Sequence, residues 1–124
     1  MAHVDLSMTG KQRVVQEQVP GKQVTIAHLI ASPDPALYNK LELDPNGKYD
    51  KAAIGILTVS PSVTAIIAAD LATKAAGVEL SSVDRRSGTL LITGSFSETE
   101  AAMRHVLDYL DSKMGFAICD LSRT

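Results

Sequence analysis

The sequence is short of cysteine, of aromatic residues and of excess charge of either sign, and each shortage excludes a class of protein. The single cysteine, Cys119, cannot form an intramolecular disulfide. Tryptophan is absent and aromatic residues make up 4% of the chain, which argues against a large ring-lined ligand pocket. Lys and Arg number 12 against 14 Asp and Glu, for a net charge of -2, so we expect no nucleic-acid partner.

Long hydrophobic runs are also missing. The N-terminus has no apolar stretch typical of a signal peptide, and no other stretch is long enough to cross a bilayer. We therefore expect no membrane partner and a location in the reducing cytoplasm. With 124 residues the chain is long enough for one domain. We expect residues 1–12 to form an N-terminal tail and residues 13–124 to form that domain.

The motifs of catalysis are not found either. There is no glycine-rich phosphate loop, and His3, His28 and His105 lack the spacing of zinc ligands. His28 stands in an apolar strand-like run, and Cys119 has no base near it in sequence. A locally hydrogen-bonded histidine and a buried thiol fit these positions better than a base and a nucleophile. We expect no catalytic residue, no metal and no cofactor.

Hydrophobic periodicity and turn residues predict an alternating series of strands and helices. From Ala52 onward the order is βαββαβ, which is typical of an α+β, ferredoxin-like antiparallel sheet. At period two, Val24, Ile26, His28 and Ile30 share one face of their strand. The expected elements are strands at 13–19, 23–30, 52–59, 78–84, 89–94 and 116–121, a short helix at 35–41, a helix from Ser60-Pro61 to Gly77, and a helix that a Ser97–Glu100 capping box opens and that runs to about Lys113.

The two longer helices differ in their faces. The later one has an apolar stripe (Ala102, Met103, Val106, Leu107, Leu110) opposite a charged side (Glu100, Arg104, Asp108, Asp111). The earlier one has an alanine half (Ala65, Ala68, Ala69, Ala72, Ala75, Ala76) opposite a half that mixes large apolar and charged residues (Val63, Ile66, Ile67, Asp70, Leu71, Lys74). Asp70 and Lys74 are either a surface pair within the helix or part of a subunit contact.

A second ambiguous feature is the turn "RRSG", Arg85 to Gly88, between the two predicted strands at 78–84 and 89–94. Two guanidinium groups beside a glycine turn suit a phosphate or carboxylate. The same residues are also typical of a polar hairpin tip that binds nothing. Turn chemistry favours the hairpin tip.

Several segments taken together resemble the bacterial microcompartment shell proteins, in particular the circularly permuted BMC-domain branch found with propanediol, ethanolamine and choline utilisation. The resemblance implies a non-enzymatic tile that assembles into cyclic homohexamers. Its implied partners are other shell proteins and, as candidates, the encapsulated enzymes. The segments that carry it are Gln16–Pro33, Ala53–Ser62, Ile66–Leu80, Val83–Gly88 and Cys119–Thr124.

The same resemblance assigns roles to particular residues. Asp70 and Lys74 match a D-x-x-x-K-A motif at the hexamer edge. Arg85, Arg86, Ser87 and Gly88 correspond to the loop beside the central pore. Residues Val14, Val15, Gln16, Glu17, Gln18 and Val19 match a strand that six subunits contribute to a small barrel over the pore. In the permuted branch, 23–30 is a terminal strand moved to the front, so either it or 116–121 closes the sheet.

Three functions remain open from the residues alone. They are a shell or assembly protein, a small ferredoxin-like ligand-binding or regulatory protein, and a small enzyme that uses His28 or Cys119. The helix without a polar face and the lack of catalytic spacing favour the first. The resemblance favours it further.

Overall fold

The computed structural model describes residues 21–41 and 53–124. The expected tail at 1–12 and the barrel strand at 13–19 lie outside the described residues. The elements in chain order are β1 (Gln23–Ile30), α1 (Pro35–Leu41), β2 (Ala53–Ser60), α2 (Thr64–Ala75), β3 (Glu79–Asp84), β4 (Thr89–Gly94), α3 (Phe96–Met114) and β5 (Ser122–Arg123).

The strands form one five-stranded sheet in the order β3-β4-β2-β1-β5. β1, β2, β4 and β3 pair antiparallel with their neighbours, and β5 adds a short parallel edge beside β1. β1 therefore lies beside β2, where the last strand of a βαββαβ unit belongs. This is the α+β arrangement that the permuted family implies, and it shows which of the two candidate strands closes the antiparallel sheet.

The expected strand at 116–121 is wrong in its extent. Only Ala117 bridges to β1, and regular pairing resumes at β5. The Val24 N–H donates to the Ala117 carbonyl at 2.8 Å, and the Thr124 N–H donates to the Leu29 carbonyl at 2.9 Å. Between these two attachments β1 has a bulge, and a bulge disrupts the ladder on the strand that carries it.

The same bulge changes which side chains of β1 face the core. It falls between Val24 and Ile26, and an extra residue reverses the alternation beyond it. Val24, Ala27 and Leu29 are buried, whereas Ile26 is 47% exposed. The predicted shared face of Val24 with Ile26, His28 and Ile30 is therefore wrong.

α2 and α3 contact each other and pack on one face of the sheet. The apolar stripe predicted for α3 is confirmed, since all five of its residues are buried. α3 lies close to β2 at Gly55, where an added Cβ would stand 2.9 Å from Cγ1 of Ile92 and 3.1 Å from Sδ of Met103. Within 21–41 and 53–124, neither helix nor any other is long and apolar enough to cross a membrane.

Both helix starts differ from the sequence prediction. α2 begins at Thr64 because residues 61–63 form a tighter turn, in which the Thr64 N–H donates to the Pro61 carbonyl at 3.0 Å. α3 begins at Phe96, and its cap is Ser95, whose Oγ accepts from the Glu98 N–H at 3.2 Å. The sequence "SFSETE" contains the capping pattern twice, and the structure uses the earlier copy.

The turn between β3 and β4 is held against the end of β2. Gly88 has φ of 78°, its N–H donates to the Asp84 carbonyl at 2.8 Å, and its own carbonyl accepts from the Val59 N–H at 2.9 Å. A Cβ on Gly88 would meet the Val59 carbonyl oxygen and would lie 3.0 Å from Cα of Ser62. Only glycine combines this backbone conformation with this contact.

Substituting Gly88 with alanine is expected to lower the free energy of unfolding by about 1–3 kcal/mol, because it adds a strained backbone and a backbone clash. Denaturant unfolding at one fixed protein concentration measures the change. Gly21→Ala is the matched control, since Gly21 has φ of 88° and a Cβ added to it would have nothing within 4 Å. Equal losses in the two variants would show that the close contact at Gly88 contributes nothing.

Candidate functional site

α2 presents most of its small residues to the core and its isoleucines to solvent, whereas Leu71, which the sequence analysis put on the outward half, packs against the core. Its buried residues are Thr64, Ala65, Ala68, Ala69 and Ala72. On the opposite side Val63, Ile66 and Ile67 are 57%, 48% and 40% exposed. Exposed large aliphatic side chains that lie together are typical of an interaction surface. The alanine half predicted from the sequence is confirmed at these four buried alanines, while Ala75 at the helix end is exposed.

Asp70 and Lys74 lie on this outward side and form an ion pair. Nζ of Lys74 is 3.0 Å from Oδ2 of Asp70, and the side chains of Lys74 and Asp70 are 75% and 56% exposed, respectively. An exposed pair at this spacing contributes about 0.3–0.5 kcal/mol to the helix. The pair within the helix is therefore formed, and most of the Lys74 side chain remains accessible to another molecule.

The turn from Arg85 to Gly88 is closed by Asp84. Oδ1 of Asp84 accepts from the Arg86 N–H at 2.8 Å and from the Ser87 N–H at 3.4 Å. The bond from Arg86 lowers the pKa of the Asp84 carboxyl, and bonds from Ser87 lower it further. The N–H groups of Arg86, Ser87 and Gly88 are thus hydrogen-bonded to Asp84. The exposed guanidinium groups of Arg85 and Arg86 are what the turn offers to an anion.

An open groove joins this turn to α2. Its volume is about 520 Å³. The sequence did not predict this groove, because its two walls come from separate elements that no periodicity links. The only signal was the lack of a polar face on α2. The groove is lined by Ile66 from α2, by Ser82, Val83 and Asp84 from β3, and by Arg85 and Arg86 from the turn.

The two sites implied by the family lie at opposite ends of α2. Ile66 borders the groove beside the Arg85 turn. Lys74 follows eight residues later, about 12 Å farther along the helix axis. The structure therefore does not bring the edge residues and the turn residues together. The edge residues and the turn residues can therefore contact two different neighbouring molecules.

His28 and Cys119 occupy structural positions. Nδ1 of His28 is 2.6 Å from Oγ of Ser122, and Nε2 is 2.9 Å from Oγ1 of Thr124. The histidine thus ties β1 to the last residues of the chain, and its ring is hydrogen-bonded as the sequence analysis predicts. Cys119 is half-buried and packs against the core. In the described part of the chain, no three His, Cys, Asp or Glu side chains are grouped as a metal site would need.

Comparison with known proteins places this architecture in a family. The BMC domain model matches residues 53–119. The bacterial microcompartment shell protein PduU of Salmonella typhimurium is 46% identical over 112 residues, which cover 90% of this chain and 93% of PduU.

Solved structures agree with the sequence match. A structure described as a CutR flat hexamer superposes with a TM-score of 0.78 at 38% identity, covering 91% of this chain and 100% of CutR. A second, described as a CutR screw with a pitch of 41.9 Å, has a TM-score of 0.75 at 38% identity and covers 85% of this chain and 100% of that one. The chain therefore belongs to the BMC-domain family and is a structural shell protein of a bacterial microcompartment.

Proposed function

We propose that this protein forms a cyclic homohexamer, and that hexamers pack side by side with one another and with other shell proteins around enclosed enzymes. The CutR flat hexamer, which shares the fold at 38% identity, supports the ring. The observation that carries the proposal is the outward side of α2, which carries both exposed large apolar side chains and an exposed charged pair. Such a surface is stable in water when another protein covers it.

Asp70 and Lys74 are placed in the lateral contact between hexamers. The Arg85 turn and Lys74 lie at opposite ends of α2, so a ring that points the turn toward its axis points Lys74 toward its rim. A flexible cation with an acid beside it can pair with the same two residues of a facing copy, since a two-fold contact is self-complementary.

We propose that the protein has no enzymatic activity. Its family is structural. Both ring nitrogens of His28 are bonded to hydroxyl groups that fasten β5, which supports a structural role for this histidine. The groove beside the Arg85 turn is open to solvent, so it does not enclose a ligand as a regulatory binding site would.

Substituting Lys74 with alanine, or with aspartate, is expected to leave the hexamer intact and to abolish extended two-dimensional arrays. The ion pair with Asp70 is worth at most about 0.5 kcal/mol, so the fold survives its loss. Light scattering on a size-exclusion column measures the ring, and electron microscopy of concentrated samples measures the arrays.

Lys113→Ala is the matched control for Lys74, because Lys113 is an exposed lysine in the last turn of the other long helix. This variant is expected to form arrays like the wild type. Arrays of normal extent in Lys74→Asp would contradict the edge role. A stable monomer in the wild type at high concentration would contradict the hexamer itself.

The Arg85 turn is placed around the central opening. Each copy contributes two guanidinium groups and the carboxylate of Asp84, whose pKa is lowered by hydrogen bonds from Arg86 and Ser87. Repeated around a ring, the guanidinium groups line the opening with cations, and cations at an opening raise the local concentration of anions.

The variant Arg85→Ala is expected to slow the passage of a small dianion through a reconstituted shell and to leave passage of a neutral solute of similar size unchanged. Efflux of the two solutes from shells of equal size measures the effect. Arg104→Ala, which changes an exposed arginine on α3, is the control. Unchanged dianion efflux in Arg85→Ala would show that the cationic turn does not control solute passage.

We further propose that residues 13–124 form the shell domain and that Val14 to Val19 contribute to a barrel over the opening, with residues 1–12 leading into it. This follows from the permuted family pattern. These leading residues lie outside the part of the chain that the structure describes.

A further inference from the structure

Most of the exposed apolar side chains lie toward one side of the sheet or the other. Eight large apolar residues are exposed among residues 21–41 and 53–124. Ile26 and Ile118 belong to β1 and to the segment beside it, at the far edge, and Tyr109 is on α3. The other five lie on α2 or on the edge strand β3: Val63, Ile66, Ile67, Leu80 and Val83.

A head-to-tail ring needs contact surfaces on two different sides of each copy, and this distribution provides them. In a cyclic assembly each copy uses one surface toward the copy before it and a different surface toward the copy after it. A two-fold dimer would instead need one self-complementary patch. From this we propose that the groove between α2 and β3 of one copy receives Ile118 and Asp120 of the next copy, an inference that rests on the proposed ring.

The far edge presents a side-chain pattern that matches the groove. Along the segment that leads to β5, Cys119 and Leu121 pack against the core. Ile118 is 39% exposed and Asp120 is exposed, so both point away from the core on either side of Cys119. An apolar group is therefore followed two residues later by an anion, both directed outward.

The groove offers an apolar surface for the isoleucine and cations for the aspartate. Its walls are the half-exposed side chains of Ile66 and Val83, and its rim carries the guanidinium groups of Arg85 and Arg86. Asp84 is the one acid in its lining, and its carboxylate is held by the N–H groups of the turn. An entering aspartate therefore meets cations, and an entering isoleucine meets aliphatic carbon.

Arg123 does not compete for this contact. Its guanidinium carbon lies 4.8 Å from the centre of the Phe96 ring, so this cation is stacked on its own chain. Asp120 is thus available to a neighbour as the anion of this segment, and the apolar and ionic parts of the contact fall side by side.

Cross-linking tests the contact directly. Val83→Cys and Ile118→Cys are combined in a Cys119→Ala background and treated with a short bismaleimide. Within one copy these positions belong to opposite edges of a five-stranded sheet, about 19 Å apart, farther than the linker spans. We expect a ladder of covalent multimers ending at six, whereas each single-cysteine variant stays monomeric on a denaturing gel. Tyr109→Cys combined with Ile118→Cys is the control pair and is expected to give no ladder.

The outcomes separate this contact from the hexamer itself. A hexamer by light scattering without a ladder overturns the contact and leaves the proposed function standing. A ladder that continues beyond six supports the contact and overturns ring closure. A monomeric parent overturns both.

Charge reversal gives an independent measurement. Asp120→Arg or Arg86→Asp is expected to raise the concentration at which half the rings dissociate by about tenfold or more, because like charges then face each other. The two changes together are expected to restore that concentration to near the wild-type value. Asp108→Arg, on the exposed face of α3, serves as the control. Failure of the combined variant to recover would overturn the pairing.

Discussion

The close approach between α2 and the rest of the domain is the constraint on which the other features depend. The fully buried residues of the helix are four alanines and Thr64, and Leu71 is a partly buried exception that packs against the core. Van der Waals contact falls off within an ångström, so this tight packing requires small residues throughout. Ile66 and Ile67 then point outward. The apolar outer face is thus a consequence of how the interior is packed.

α3 shows the ordinary alternative in the same domain. Its large apolar residues are buried, and its outer face carries the ion pair between Arg104 and Glu100 at 3.3 Å. Two helices on one sheet therefore divide the work. One supplies large side chains to the core, and the other exposes large side chains that the proposed ring would cover. A shell protein needs both kinds of helix, since it must fold and must also pack side by side with other subunits.

Much of the fold could be predicted because its signals are local. The order of elements, the stripe of α3 and the two faces of α2 follow from side-chain periodicity within one helix or strand. The errors arose where two segments interact. The bulge in β1 depends on its partner strand, and no feature of "QVTIAHLI" marks it. The choice between Ser95 and Ser97 as the cap depends on where the chain leaves β4, because both match the same pattern.

The site was predictable in part for the same reason. Asp70 with Lys74, and Arg85 with Arg86, are close in sequence, so they could be proposed without a structure. The groove depends on Ile66 and Val83, which belong to different elements, and it becomes visible only once α2 is placed beside β3. The family resemblance supplied the circular permutation. Periodicity alone left two strands competing for one position in the sheet.

The contact of Gly88 with Val59 and Ser62 limits how an opening built from such turns can change its width. The turn is bonded to Val59 at the end of β2 and rests on Ser62, just before α2. It therefore moves with the body of the domain and has little freedom to swing on its own. In the proposed ring, the width of the opening is therefore set by how each subunit tilts against its neighbours. Mutations at subunit contacts would change that width without altering the residues that line the opening.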